Sequence, residues 1–186
     1  MKINFRKVTL AIFIILFGVI FRFFLNEKIG IANFEAVTAL SLLSGSFFGG
    51  IYAAIIPLLM IFLSDFYFGN TSIFLFTWSA FILIGVFGIL IKRRSKRYVF
   101  KMTGLGICSV LFFYLYTNFG WWLTSSMYPL TLSGLLQCYI AALPFLRNQL
   151  ISILIFIPVF VPLFSLAFKK LKARKRVRIQ IYDSIR

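Results

Sequence analysis

The sequence predicts an all-α membrane protein of about six transmembrane helices, with a short re-entrant or interfacial helix before the last span. Three observations carry that expectation. Hydrophobic residues fill 61% of the 186 positions and charged residues 13%, against roughly 45–50% and about 25% in soluble domains. A chain this short in water buries only part of its surface, so 25 Phe, 8 Tyr and 3 Trp would leave large apolar patches exposed. Six apolar runs recur along the chain, each bounded by Gly, Asn or charge.

The third observation is charge placement. The formal net charge of +16 arises from 20 Lys+Arg against 4 Asp+Glu. Seventeen of the twenty cations fall in three clusters. Lys2, Arg6 and Lys7 open the chain, Lys92, Arg93, Arg94, Lys96, Arg97 and Lys101 form a central block, and Lys169, Lys170, Lys172, Arg174, Lys175, Arg176, Arg178 and Arg186 close it. Every cluster abuts a long apolar run, which marks the cytoplasmic flanks of membrane spans and argues against a nucleic-acid partner, whose groove needs cations along one face.

A bilayer core of about 30 Å takes around 20 helical residues. The candidate spans run about Val8–Leu25, Phe34–Phe48, Ile51–Ser64, Ser72–Ile91, Met102–Phe119 and Gln149–Phe168. Arg22-Phe23-Phe24 stands where a signal peptide needs small residues, so the first run reads as a retained span. With four spans before Lys92 and two after it, all three basic clusters share one side. Residues 1–168 then form one helical membrane domain and residues 169–186 a basic cytoplasmic tail.

The outer side holds Asn26–Asn33, Asp65–Asn70 and Gly120–Asn148. Within the last stretch Pro129 opens and Pro144 closes a short helix near Thr131–Leu143, about 20 Å long at 1.5 Å per residue and too short to cross. The second and third runs, joined by Gly49-Gly50, read as a tight hairpin. Ser41, Gly45 and Gly49 recur every four residues, a spacing that lets helix backbones approach closely in lipid.

Glu27, Glu35 and Asp65 fall on the outer side together with Arg22 and Arg147. Ionisable groups near hydrocarbon face a pocket or one another, because each costs about 2.5–3.5 kcal/mol to insert there. Asn33 ahead of Glu35 looks like a helix N-cap with an acid in the first turn, and Arg22 suits the C-terminal dipole of the first span. Asp65 at the end of one helix and Arg147 at the start of another both oppose the local dipole, so they are expected close together, paired or facing one ligand. Asn118, Gln137 and Asn148 would add amide hydrogen bonds suited to a neutral or zwitterionic solute. Phe66-Tyr67-Phe68, Phe119, Trp121-Trp122 and Tyr128 fit an interfacial aromatic belt, or the wall of an outward cavity with Gly69 and Gly120 as loop hinges.

Enzyme motifs are absent from the sequence: it has no His, no phosphate loop, no H-E-x-x-H and no G-x-S-x-G. Neither a catalytic residue nor a metal ligand nor a cofactor is expected. Cys108 and Cys138 lie in separate apolar segments without a C-x-x-C and read as packing thiols.

Several motifs together carry a family resemblance. They are Asn33-Phe34-Glu35-Ala36-Val37 entering Ala39–Gly45, Pro57-Leu58-Leu59 through Ser64-Asp65, and Thr117-Asn118-Phe119 with Trp122. Tyr128-Pro129 leading to Gly134-Leu135 and Cys138-Tyr139, then Leu143-Pro144-Phe145 and Asn148, continue them. Over roughly Arg22–Leu150 the chain resembles an uncharacterised family of small six-span bacterial integral membrane proteins. That family is similar to the substrate-binding S components of energy-coupling factor (ECF) vitamin transporters. It usually has Pro where Ala36 stands, and the small-residue face that S components offer their transmembrane partner shows here only as Ala11 and Gly18.

The resemblance implies a multi-pass protein of the bacterial cytoplasmic (inner) membrane that binds a vitamin or metabolite for uptake, with an energising ATPase module as partner beside the lipid bilayer. Its site is expected to comprise Arg22, Asn33, Glu35, Asp65, Asn118, Trp122, Gln137, Arg147 and Asn148. The competing expectation is a non-transporting scaffold or assembly protein acting through its basic tail on anionic lipid.

Overall fold

The computed structural model describes residues 5–69 and 72–184, with side chains as far as Lys169. Lys2, the basic side chains from Lys170 onward and Arg186, used in the charge argument above, and Asn70, the end of an expected outer segment, lie outside the described residues. Seven α-helices follow in order: α1 (Phe5–Phe24), α2 (Val37–Phe48), α3 (Tyr52–Phe68), α4 (Phe74–Gly88), α5 (Tyr98–Thr124), α6 (Leu132–Ala141) and α7 (Leu143–Ser184). A π-helical turn, Leu25–Ile29, extends α1 and closes on Gly30.

Among the described residues three stretches are long and apolar enough to cross a bilayer: Phe5–Ile29, Tyr98–Thr124 and Leu143–Lys169. Four shorter apolar helices complete the bundle. The outer faces of the long helices are hydrocarbon, with Ile12, Phe13, Leu16 and Ile20 exposed on α1, Leu111 and Leu115 on α5, and Leu154, Ile155, Val159 and Leu163 on α7. Large exposed apolar faces of this kind fit lipid rather than water.

Helix α2 is the centre of the packing. Eleven of its twelve residues are buried, leaving Ser46 half-buried, and it touches α1, α3, α4, α5 and α7. A helix enclosed on every side needs small residues where neighbours cross. A Cβ on Gly45 would strike the carbonyl oxygen of Gly85 and come within 3.1 Å of Gly88 Cα. One on Gly88 would strike the Leu42 carbonyl, and one on Gly85 the Ala53 carbonyl of α3. The small-residue spacing in the second run therefore serves contact with α4, where Gly85 and Gly88 supply the opposite side of the crossing.

The described parts of the three basic segments meet at one end. There Lys7 donates to the Phe48 carbonyl at 2.7 Å, Tyr98 donates to Ser46 Oγ at 2.8 Å, and the Arg93 guanidinium lies over the rings of Phe47 and Phe168. The other end gathers the close of α1, the start of α2, the close of α3, the start of α4, the second half of α5, and α6 with the start of α7.

Several expected boundaries move. Helix α3 runs one turn beyond Ser64, because Phe66, Tyr67 and Phe68 continue it until Gly69 takes φ +80°. Asp65 thus lies within the helix. Pro144 does not close the short helix but opens α7, where an early proline loses no intrahelical bond. Thr131 caps α6, its side chain accepting from the Gly134 amide at 3.2 Å. Helix α7 does not stop at Phe168 but continues to Ser184.

Candidate functional site

Two pairs of polar residues stand at the end opposite the basic segments. In the first, Arg22 Nη1 donates to Asp65 Oδ1 at 2.7 Å and also to Ser64 Oγ. Trp78 Nε1 donates to the second carboxylate oxygen, Oδ2, at 2.8 Å. Asp65 is 8% exposed, and a buried carboxylate survives when a cation and further donors take its oxygens. The Arg22 guanidinium also packs over Phe68, 5.2 Å from the ring centre.

In the second, Glu35 precedes α2 and accepts from the backbone amide of Thr38 at 2.9 Å through Oε2, and from the Thr38 hydroxyl through Oε1. Gln149, buried on α7, donates to Glu35 Oε1 at 3.2 Å and to Thr38 Oγ1 at 3.3 Å. The carboxylate satisfies a donor at the positive end of α2, while the amide ties it to α7 across 114 residues of sequence.

Between these pairs lies a cavity of about 440 Å³. Arg22, Asn26, Asn33, Glu35, Asp65, Thr77, Thr117, Asn118 and Gln149 supply its polar wall, and Phe34, Phe74, Phe81, Phe113, Tyr114, Trp121, Tyr128 and Phe145 most of the aromatic remainder. A concave site of mixed aromatic and convergent polar groups in this size range suits a small molecule. The grooves at the basic end, beside Arg93, Tyr98 and Ser165 and beside Ser46, Arg93 and Phe168, open broadly to the outside.

Of the nine residues expected at the site, Arg22, Asn33, Glu35, Asp65 and Asn118 line the cavity. Trp122, Gln137, Arg147 and Asn148 are outside its lining. Trp122 Nε1 donates to the Pro129 carbonyl at 2.9 Å and fastens the turn before α6. Gln137 is exposed on α6. Asn148 donates to the Ala32 carbonyl at 2.9 Å, pinning the loop before α2 onto α7.

The expected pairing of Asp65 with Arg147 is corrected: Asp65 is satisfied by Arg22 and Trp78, and Arg147 is exposed, with Asn148 Oδ1 as its neighbour at 3.5 Å. The reason is packing, since α1 lies against α3 and brings Arg22 to Asp65 first. Asn33 is also corrected as a cap. Its φ of +57° places it in the preceding turn, and Glu35 does the capping.

Gln149, Thr117, Thr77 and Asn26 were missed by the sequence reading, whereas Trp121 and Tyr128, expected as an aromatic belt or a cavity wall, line the cavity. Gln149, Thr117 and Trp121 each sit one position from an expected residue. Successive helical residues point about 100° apart, so Gln149 faces the cavity where Asn148 faces the loop, and Trp121 faces it where Trp122 does not. A signal for Gln149 was available, as an amide carried one step into an apolar run.

The fold and this cavity define a class: a membrane-type helical protein with a small-molecule-sized cavity at the end opposite its basic segments. The chain belongs to the Family of unknown function (DUF6580), which it matches over residues 1–176. No curated protein and no solved structure matches it.

Proposed function

We propose that the protein is a six-crossing membrane protein that captures a small solute in the cavity near Glu35 and Asp65 for uptake, and is not itself an enzyme. Both ends face the cytoplasm in this reading, and the cavity opens outward. The membrane is the bacterial cytoplasmic membrane, and the driving force comes from a separate module, in keeping with the resemblance of the chain to a family that is itself similar to ECF S components.

The observation that carries the reading is the cavity itself. Its acids and amides converge from the turn after α1, the loop before α2, and α3, α5 and α7 onto one space, at the end away from the Lys and Arg clusters. Cations near span ends are retained on the inner side, so a cavity at the other end faces outward. Four short helices need not bar six crossings, because helices packed in a bundle and a locally thinned bilayer tolerate short spans.

The test is a thermal-stability screen of the purified protein against a broad vitamin and metabolite panel. At saturating ligand a specific binder raises stability by RT ln(1 + [L]/Kd), about 2.7 kcal/mol at a hundredfold excess over Kd, and Asp65→Ala removes that gain. A flat response across the panel overturns solute capture. Orientation is checked separately, with impermeant thiol reagents on intact cells carrying Ser72→Cys or Ser95→Cys in a background lacking Cys108 and Cys138. The first is expected to label and the second not.

A further inference from the structure

The wall of the cavity inverts the charge of the chain. It holds one of the twenty cations but two of the four acids. Arg22 and Asp65 neutralise each other, which leaves Glu35. Among the described residues no Lys or Arg pairs with Glu35, and its donors are the Thr38 amide and hydroxyl and the Gln149 amide. All three are neutral groups.

A carboxylate offers about four acceptor positions. Oε1 takes two donors and Oε2 takes one, so Oε2 keeps an acceptor position. The dipole of α2 offsets about half a charge at its N-terminus, and no cation on the wall is free to match the rest, because Arg22 is paired with Asp65. The rings of Phe34, Phe74, Trp121, Tyr128 and Phe145 line the same space, and aromatic faces attract cations.

Resting on the reading of the cavity as a solute site, we infer that its ligand is an organic monocation: a protonated amine or quaternary ammonium on an aromatic or other apolar body, its charge beside Glu35. An anionic ligand meets repulsion from Glu35, while Arg22 brings no net positive charge because Asp65 neutralises it. A neutral ligand fills the aromatic wall but leaves the Glu35 charge unmatched.

The test compares tryptamine, tryptophol and indolepropionate, which share one ring system and differ in head-group charge. Binding to the full-length protein in nanodiscs is measured by titration calorimetry. Tryptamine is expected to bind at least about tenfold more tightly than tryptophol, as a charge-assisted bond implies, with indolepropionate weakest. Glu35→Gln keeps the shape and one acceptor oxygen; it is expected to bring the tryptamine-to-tryptophol ratio to about one while tryptophol affinity stays unchanged, which shows the cavity intact.

Equal or tighter binding of tryptophol or indolepropionate, or a preference that survives Glu35→Gln, overturns the cation assignment and leaves solute capture standing. If none of the three binds, the charge of any hit from the wider panel decides: a neutral or anionic hit overturns the assignment, and so does a cationic hit indifferent to Glu35→Gln. If nothing binds at all, solute capture fails and the assignment falls with it.

Discussion

Arg22, in the last turn of α1, and Asp65, within α3, form a 2.7 Å ion pair between residues 43 apart in sequence. The pair joins two parallel helices near their C-terminal ends, beside the cavity. Its members are also held by Ser64 and Trp78, so removing one leaves the charge of the other unmatched where it is largely buried.

Arg22→Ala is expected to destabilise the protein by about 3–5 kcal/mol, the range for breaking a buried pair from one side. A double-mutant cycle of Arg22→Ala with Asp65→Asn, read by denaturant unfolding in detergent, should return a coupling of about 1–3 kcal/mol. The same cycle on Asp65 and Arg147 should be additive to within about 0.5 kcal/mol. Strong coupling there would contradict the observed pairing.

The glycine crossing of α2 and α4 gives a second prediction. Gly45→Ala drives a methyl into the Gly85 carbonyl and should cost at least about 1–3 kcal/mol, as overpacking does. Gly104→Ala on α5 is the control, since a Cβ there meets nothing within 4 Å and alanine favours helix by up to about 1 kcal/mol. Thermal melting in one detergent should separate the two variants in opposite directions.

Gln149 offers a third. Gln149→Glu sets a carboxylate against Glu35 Oε1, now 3.2 Å from the amide nitrogen. It replaces an attraction with a like-charge contact, which favours protonation of one member. Stability should therefore fall by about 1–3 kcal/mol at neutral pH and recover as the pH is lowered toward the carboxylate range. The new carboxylate pair should make that acid-side recovery larger in the variant than in the natural protein. Melting temperature followed against pH for both proteins reads the difference.

Much of the architecture was legible. Apolar composition and run length pointed to lipid and helices, and the observed elements fall on every run identified, with Thr131–Leu143 reduced to Leu132–Ala141. The site was legible in part. Arg22, Asn33, Glu35, Asp65 and Asn118 were found because an ionisable or amide group at the end of an apolar run is costly unless it has a use. Trp122, Gln137, Arg147 and Asn148 were drawn in by the same rule, which sees depth along a helix but not direction around it.

The chain by itself determined its solvent, its helical class, the sequence of its elements and the separation of cations from acids, since these follow from composition and local periodicity. Only the tertiary structure decided that α1 lies on α3 and so gives Arg22 to Asp65, that α7 gives Gln149 to Glu35, and that α2 is enclosed at the centre. Those outcomes depend on which helix faces meet, and a difference of one residue turns a side chain by about 100°. Facing is settled by small-residue crossings such as Gly45 on Gly85, between segments far apart in the chain.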